Sequence, residues 1–393
     1  MISSPLSETF GRKFVYLITL PLFDIFTLGF GLSRSIGSLI VCRFFAGMFA
    51  APGVSVAAAT IADYVAPSRR AIYLAFYYTI PFIGSTIGPM IGGFAVESKG
   101  WRWTAWITLI IAAAFHPPAL YLRESYKTII LQRRANALGV EGPSGSSRTI
   151  RQTVKEFITS TIIRPLHMLT TEPLVGYVCL YTGFQFALLY TFVVASPWVF
   201  KTVYGFSVGA QGLSFLGLVT GCCVAPFVLI AVDLFIYQPR YNRLQDDPDP
   251  AFRRTNLPPK HRLIAALYGS LVLPVGLFWY GWSARPSIHW ISPIVAQGVT
   301  ILGSILIYVP CNFFMLDVYG SKYGASSSGA SSLSRYTLSA AFPLFVTQMY
   351  ESLGVSWATS LLGFVALAMA PIPWVFYYFG PRLGARSAYE HGT

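Results

Sequence analysis

Charge is scarce in these 393 residues: only 11% are Asp, Glu, Lys or Arg, less than half the roughly 25% of an ordinary soluble domain. That is too little to cover a globular surface in water, which excludes a soluble enzyme and a disordered chain. Cysteine is sparse as well. The five cysteines, Cys42, Cys179, Cys222, Cys223 and Cys311, all fall in apolar runs, where a thiol acts as a small hydrophobe, and no spacing marks a metal site or a secreted disulfide framework. Acidic residues number 15 against 28 basic ones. All but two of the basic residues lie in loops between apolar runs, so the net charge of +13 builds no face for a phosphate backbone, and nucleic acid is not expected as a partner. No H-E-x-x-H and no Asn-x-Ser/Thr sequon occurs. Neither a cofactor nor a metal is called for.

What the sequence does hold is apolar length: 54% of its residues are hydrophobic. About 20 consecutive apolar residues span a bilayer. The runs are continuous rather than alternating every second residue, so the class is an all-α, polytopic helical membrane protein and not a β-barrel. Hydropathy marks ten spans: Phe14–Leu32, Ser38–Ala62, Ile72–Val96, Trp103–Leu122, Pro173–Ala195, Val208–Phe235, Leu263–Trp282, Trp290–Leu316, Ala325–Tyr350 and Trp357–Phe379. Two connections are long, Arg123–Glu172 and Ile236–Arg262. The chain therefore divides into an N-terminal bundle (1–122, four spans and a stub), a central loop (123–172) and a C-terminal bundle (173–393, six spans).

With Arg12 and Lys13 placed on the cytoplasmic side, 21 of the 28 basic residues fall inside. Arg34, Lys99, Arg102, Lys201 and Arg285 fall outside, and Arg43 and Arg335 lie within spans. The positive-inside rule then puts both termini and both long loops in the cytoplasm. A faint repeat supports two halves. Asp63 closes the second span with Arg69 six residues on, and Asp317 closes the eighth with Lys322 five residues on.

Three strings carry more specific information. Pro5-Leu6-Ser7-Glu8-Thr9-Phe10-Gly11-Arg12-Lys13 reads as a tight cytoplasmic turn, with Gly11 permitting the reversal. Leu39-Ile40-Val41-Cys42-Arg43-Phe44-Phe45-Ala46-Gly47 puts a cation inside a span, where it should face a partner or a cavity. Gly84-Ser85-Thr86-Ile87-Gly88-Pro89-Met90-Ile91-Gly92-Gly93 places small residues at i, i+4 and i+8, a stripe against which a neighbouring helix can pack closely, with a bend at Pro89. Asp24 lies near the middle of its span, about 12 Å from the outer end, and Arg43 roughly 8 Å deep. An Asp24–Arg43 ion pair and a neutral Asp24 hydrogen-bonded within the bundle are both open. His116, ahead of Pro117-Pro118, reads as structural.

These strings resemble motifs of the major facilitator superfamily. The first resembles its loop between helices two and three, the second its fourth-helix motif and the third the fifth-helix motif of antiporters. Leu122-Arg123-Glu124-Ser125-Tyr126, Pro258-Pro259-Lys260-His261-Arg262-Leu263 and Tyr378-Phe379-Gly380-Pro381-Arg382-Leu383 extend the resemblance to the fungal drug:proton antiporter branch, of the twelve-helix type. Helix one and nearly all of helix two have no counterpart, so the resemblance implies an N-terminally truncated two-bundle fold.

The resemblance implies a cytoplasmic gating network at Glu8, Gly11, Arg12 and Lys13. It implies proton coupling at Arg43, to which Asp24 is joined as a candidate, and an antiporter motif at Gly84, Gly88, Pro89, Gly92 and Gly93. Tyr181, Phe184, Gln185, Tyr190 and Arg335 are candidates for an aromatic, weakly charged cavity wall. The expected function is proton-coupled efflux of a drug, toxin or secondary metabolite by alternating access, not enzymatic, with protons, a small-molecule substrate and the bilayer as partners, in the plasma membrane. A non-transporting remnant of a truncated gene and an integral-membrane enzyme are the other two readings.

Overall fold

The computed structural model describes Ser7 and residues 11–65, 67–139, 159–240 and 259–384. Among these residues there are helices and no strand. In chain order they are α1 Arg12–Gly31, α2 Ile36–Ser55, α3 Ala57–Tyr64, α4 Pro67–Lys99, α5 Trp103–Tyr121, α6 Lys127–Leu138, α7 Arg164–Thr171, α8 Pro173–Tyr204, α9 Val208–Leu213, α10 Leu216–Val232, α11 Ile264–Ser283, α12 Ile291–Met369 and α13 Pro371–Gly384. Among the described residues, eight helical stretches are long and apolar enough to cross a membrane, and Trp103–Pro117 is a shorter apolar helix. The last of the eight, Ser326–Gly380, holds the two final expected spans. The run Ile291–Met369 leaves helical backbone values at Gly320 and Gly354, within the two connections that the hydropathy pattern leaves between its last three spans.

Local chemistry explains the helix ends. Ser35 caps α2 by accepting the Ser38 N–H (3.2 Å). Pro173 starts α8, where its missing N–H has no intrahelical acceptor to lose. Ser207 caps α9 through the Ala210 N–H (3.4 Å).

The chain forms two compact units, Met1–Tyr77 with Gly92–Ile162, and Tyr78–Ile91 with Ile163–Thr393. In the first, α1 packs against α2 and α5. In the second, the first segment of α12 is the central element, lying against α8, α10 and α11. The crossings in this second unit are close because glycines meet backbone. A Cβ on Gly217 would run into the Ile294 carbonyl, and one on Gly221 into the Gly298 carbonyl. One on Gly303 would come within 2.8 Å of the Leu273 nitrogen. Small residues let membrane helices approach in this way and gain dispersion contact where apolar burial gives no net drive.

Candidate functional site

The expected gating turn is a charge network within the first unit. Gly11 adopts φ 98°, a left-handed conformation that a side chain disfavours, and a Cβ there would collide with the Glu124 carboxylate. That carboxylate accepts the backbone N–H of Arg12 (2.9 Å) and Lys13 (3.2 Å), so it caps the positive end of α1. It also accepts the amides of Ser125 (3.1 Å) and Tyr126 (3.0 Å). The Arg12 side chain is only 8% exposed. Its Nε donates to Asp63 (3.1 Å), its Nη1 to the Ser7 hydroxyl (2.8 Å), and its guanidinium lies over the Tyr126 ring. Ser125 donates to the same Asp63 carboxylate (3.2 Å). Glu8 lies outside the described residues.

The second unit holds a counterpart. Arg262, at the entry to α11, donates from Nε to Asp317 (2.9 Å) and pairs with Asp233 (3.9 Å), and its guanidinium stacks on Tyr237. The faint repeat of Asp63 and Asp317 is thus a repeated Arg–Asp contact. The arginine comes from the start of another helix. The side chains of Arg69 and Lys322, which follow the two aspartates in sequence, lie outside what is described.

Within the first unit's spans, Asp24 pairs with His116 (Oδ2 to Nδ1, 3.2 Å) and not with Arg43. The partner found at Asp24 is thus His116, a residue that reads as structural in sequence. Side chains on a helix lean toward its N-terminus, so Arg43 tilts toward the α1–α2 turn. There its guanidinium sits 3.8 Å from the centre of the Phe30 ring. Phe30 is about 9 Å of helix rise nearer that turn than Asp24. Asp24 Oδ1 and His116 Nε2 are buried and have no hydrogen-bond partner.

The glycine motif differs from its expected role. Among the described residues, a Cβ on Gly84, Gly88 or Gly92 would meet nothing within 4 Å; Gly93 is half-buried on the same helix. The reason is rotational. Phe82 and Thr86 face the buried side of α4, and Gly84 and Gly88, two residues on from each, point about 200° away. Near the motif the close contact is made by Gly212, where a Cβ would lie 3.0 Å from the Met90 carbonyl and 3.5 Å from that of Pro89.

Three of the five cavity candidates coincide with buried, unsatisfied polar groups of the second unit. The Tyr181 hydroxyl, both amide atoms of Gln185 and Arg335 Nε are buried without a hydrogen-bond partner. Arg335 is 6% exposed. It donates to the Tyr308 hydroxyl and to Ser332 (3.2 Å), and its guanidinium lies 4.8 Å from the Phe186 ring centre and 5.0 Å from that of Tyr336. Phe186 meets Phe82 edge to face, and Tyr308 meets it at a tilt. Phe184 contacts Phe342 instead (6.3 Å). Tyr190 is half-buried and sits about 140° around α8 from Gln185. Phe82, Phe186 and Tyr308 carry no sequence signal, because single aromatics in apolar runs form no pattern.

Residues 1–343 match the family profile described as Major Facilitator Superfamily. The chain belongs to the Major Facilitator Superfamily. It is 36% identical over 412 residues to "Polyamine transporter 4" of Saccharomyces cerevisiae, a match that takes in 100% of this chain and 62% of that protein. It is 36% identical over 397 residues to the "Ascochitine biosynthesis cluster MFS transporter" of Didymella fabae, covering 99% of this chain and 75% of that one. The chain thus spans about three fifths to three quarters of these relatives' lengths. Among solved structures, a D-xylose-proton symporter superposes with a TM-score of 0.64 at 17% identity, over 95% of this chain and 83% of that one. A human organic anion transporter superposes at 0.55 and 19% identity, over 95% and 79%. These two show the helical fold; the family makes the chain a multi-pass membrane protein, and the two relatives named above are transporters.

Proposed function

We propose that this superfamily member is a proton-coupled exporter of small organic molecules, drugs, toxins or secondary metabolites, of the drug:proton antiporter branch. It works by alternating access in the plasma membrane with both termini cytoplasmic. The observation that carries this reading is the pair of Arg–Asp contacts, Arg12–Asp63 (3.1 Å) and Arg262–Asp317 (2.9 Å), at corresponding places in the two units. Contacts of this kind hold one access state and break in the other, which is what a rocking transporter needs at its gate. Gly11, Arg12 and Lys13 form the gate in the first unit. Asp24 carries the coupled proton with His116 as its partner, and Arg43 acts separately as the intramembrane cation. Tyr181, Phe184, Gln185 and Arg335 line the substrate path, with the glycine motif supplying a bend.

Inside-out vesicles with an acid lumen test the reading. The chain accumulates small organic compounds in the lumen, read by mass spectrometry, and a protonophore abolishes this. Asp24→Asn and Arg43→Ala each lower uptake at least tenfold without loss of protein from the membrane. Uptake that survives collapse of the gradient, or that needs an acid exterior, overturns it. Cysteine labelling from outside intact cells at Ser287, with Ser146 spared, checks the orientation.

A further inference from the structure

On the reading of the second unit as the transport cavity, we infer that Arg335 is an anion-binding subsite and that the substrate is a flat, conjugated organic acid. Arginine stays protonated in any protein environment. Burying its charge without a counter-ion is costly, and among the described residues no carboxylate forms an ion pair with Arg335. Its neighbours are neutral: the Tyr308 and Ser332 hydroxyls, and the faces of Phe186, Tyr308 and Tyr336. Aromatic faces and hydroxyls stabilise a guanidinium partly, and the remaining positive field attracts an anion. The planar fork of donors, with Nε–H lacking an acceptor, matches a carboxylate held by two parallel hydrogen bonds.

The surroundings specify the rest of the ligand. Phe82, Phe186 and Tyr308 pack as a tilted cluster with ring centres 4.6 to 5.3 Å apart, and such edges and faces favour another aromatic body. The Tyr181 hydroxyl and the Gln185 amide, fully buried and unpartnered on α8, offer donors and acceptors for ring oxygens. A polyamine meets like charge here and is disfavoured.

Three ligands of one shape decide it: 1-naphthoate, neutral 1-naphthamide and cationic 1-naphthylmethylamine, with spermine as a fourth probe. Each is titrated by calorimetry into the full chain in a neutral detergent. Naphthoate binds at least tenfold more tightly than naphthamide, and neither cation binds measurably. Arg335→Gln abolishes the preference for naphthoate over naphthamide, whereas Arg335→Lys keeps the preference for charge at lower affinity. If the variants fail to fold, the preference of the unsubstituted chain decides alone. Equal binding of acid and amide, binding of spermine, or no binding of any probe overturns the inference. Proton-driven export of neutral compounds without a preference for acids would leave the exporter reading standing and this one refuted. Naphthoate bound at Arg335 but never moved by a proton gradient would do the reverse.

Discussion

Arg12 and Arg262 make the same contact in different settings, and the difference lies in where each unit puts its glycines. At Arg12 a backbone clamp is added to the side-chain contacts with Asp63 and Ser7. Glu124 caps α1 through two amides, and Gly11 is the residue whose bare Cα leaves room for that carboxylate. At Arg262 the clamp is built on side chains: two aspartates and the rings of Tyr237 and Phe313 hold the guanidinium. In the second unit the tight glycines sit at the helix crossings instead, Gly217 and Gly221 against the carbonyls of α12. A clamp built on backbone tolerates no added atom. One built on side chains has several partial supports, so losing one leaves the others.

The largest effects are therefore expected in the first unit. Gly11→Ala forces a side chain into the left-handed region, at about 1–2 kcal/mol, and displaces Glu124. Arg12→Ala strands Asp63 with Ser125 as its remaining donor. Both should cut proton-driven efflux at least tenfold at matched expression. Arg262→Ala should cost less, about threefold, because partly exposed ion pairs contribute only about 1 kcal/mol. Asp317 is 38% exposed, and Asp233 keeps the Gln238 amide (3.0 Å). Equal losses at the two arginines would break the comparison and make the clamps equivalent.

Sequence and structure agree where one strong force decides. The spans follow from apolar length, and the interruptions of the long α12 run at Gly320 and Gly354 fall in the connections that hydropathy leaves between spans. Arg12 is legible because a nine-residue string surrounds it. Partners were much less legible. Asp63 is followed in sequence by Arg69, yet its ion pair is with Arg12, 51 positions earlier in the chain. His116 looked structural because a lone histidine beside two prolines shows nothing of the helix it will face, and it is the residue that holds Asp24. Which side chains meet across helices depends on rotation about each axis, and continuous apolar runs conceal rotation. The two glycine spacings show this: a Cβ on Gly84 or Gly88 of α4 meets open space, whereas one on Gly217 or Gly221, at the same spacing, meets a neighbouring backbone.

The smallest effect is expected at Gly88, and it is the sharpest test of that rotation. Gly221→Ala adds a methyl group into the Gly298 carbonyl, an overpacking that costs about 1–3 kcal/mol, so the purified protein should melt at a lower temperature in detergent. Gly88→Ala adds a methyl group into open space and replaces the weaker helix former, a gain of about 0.5–1 kcal/mol, so melting should be unchanged or raised. A fall at Gly88 would mean that a helix does pack on the stripe. Unchanged melting with lost efflux is more informative still. The added methyl group would then be harmless in the conformation described here and harmful in another, and the glycines of α4 would act in the transport cycle and not in the resting fold.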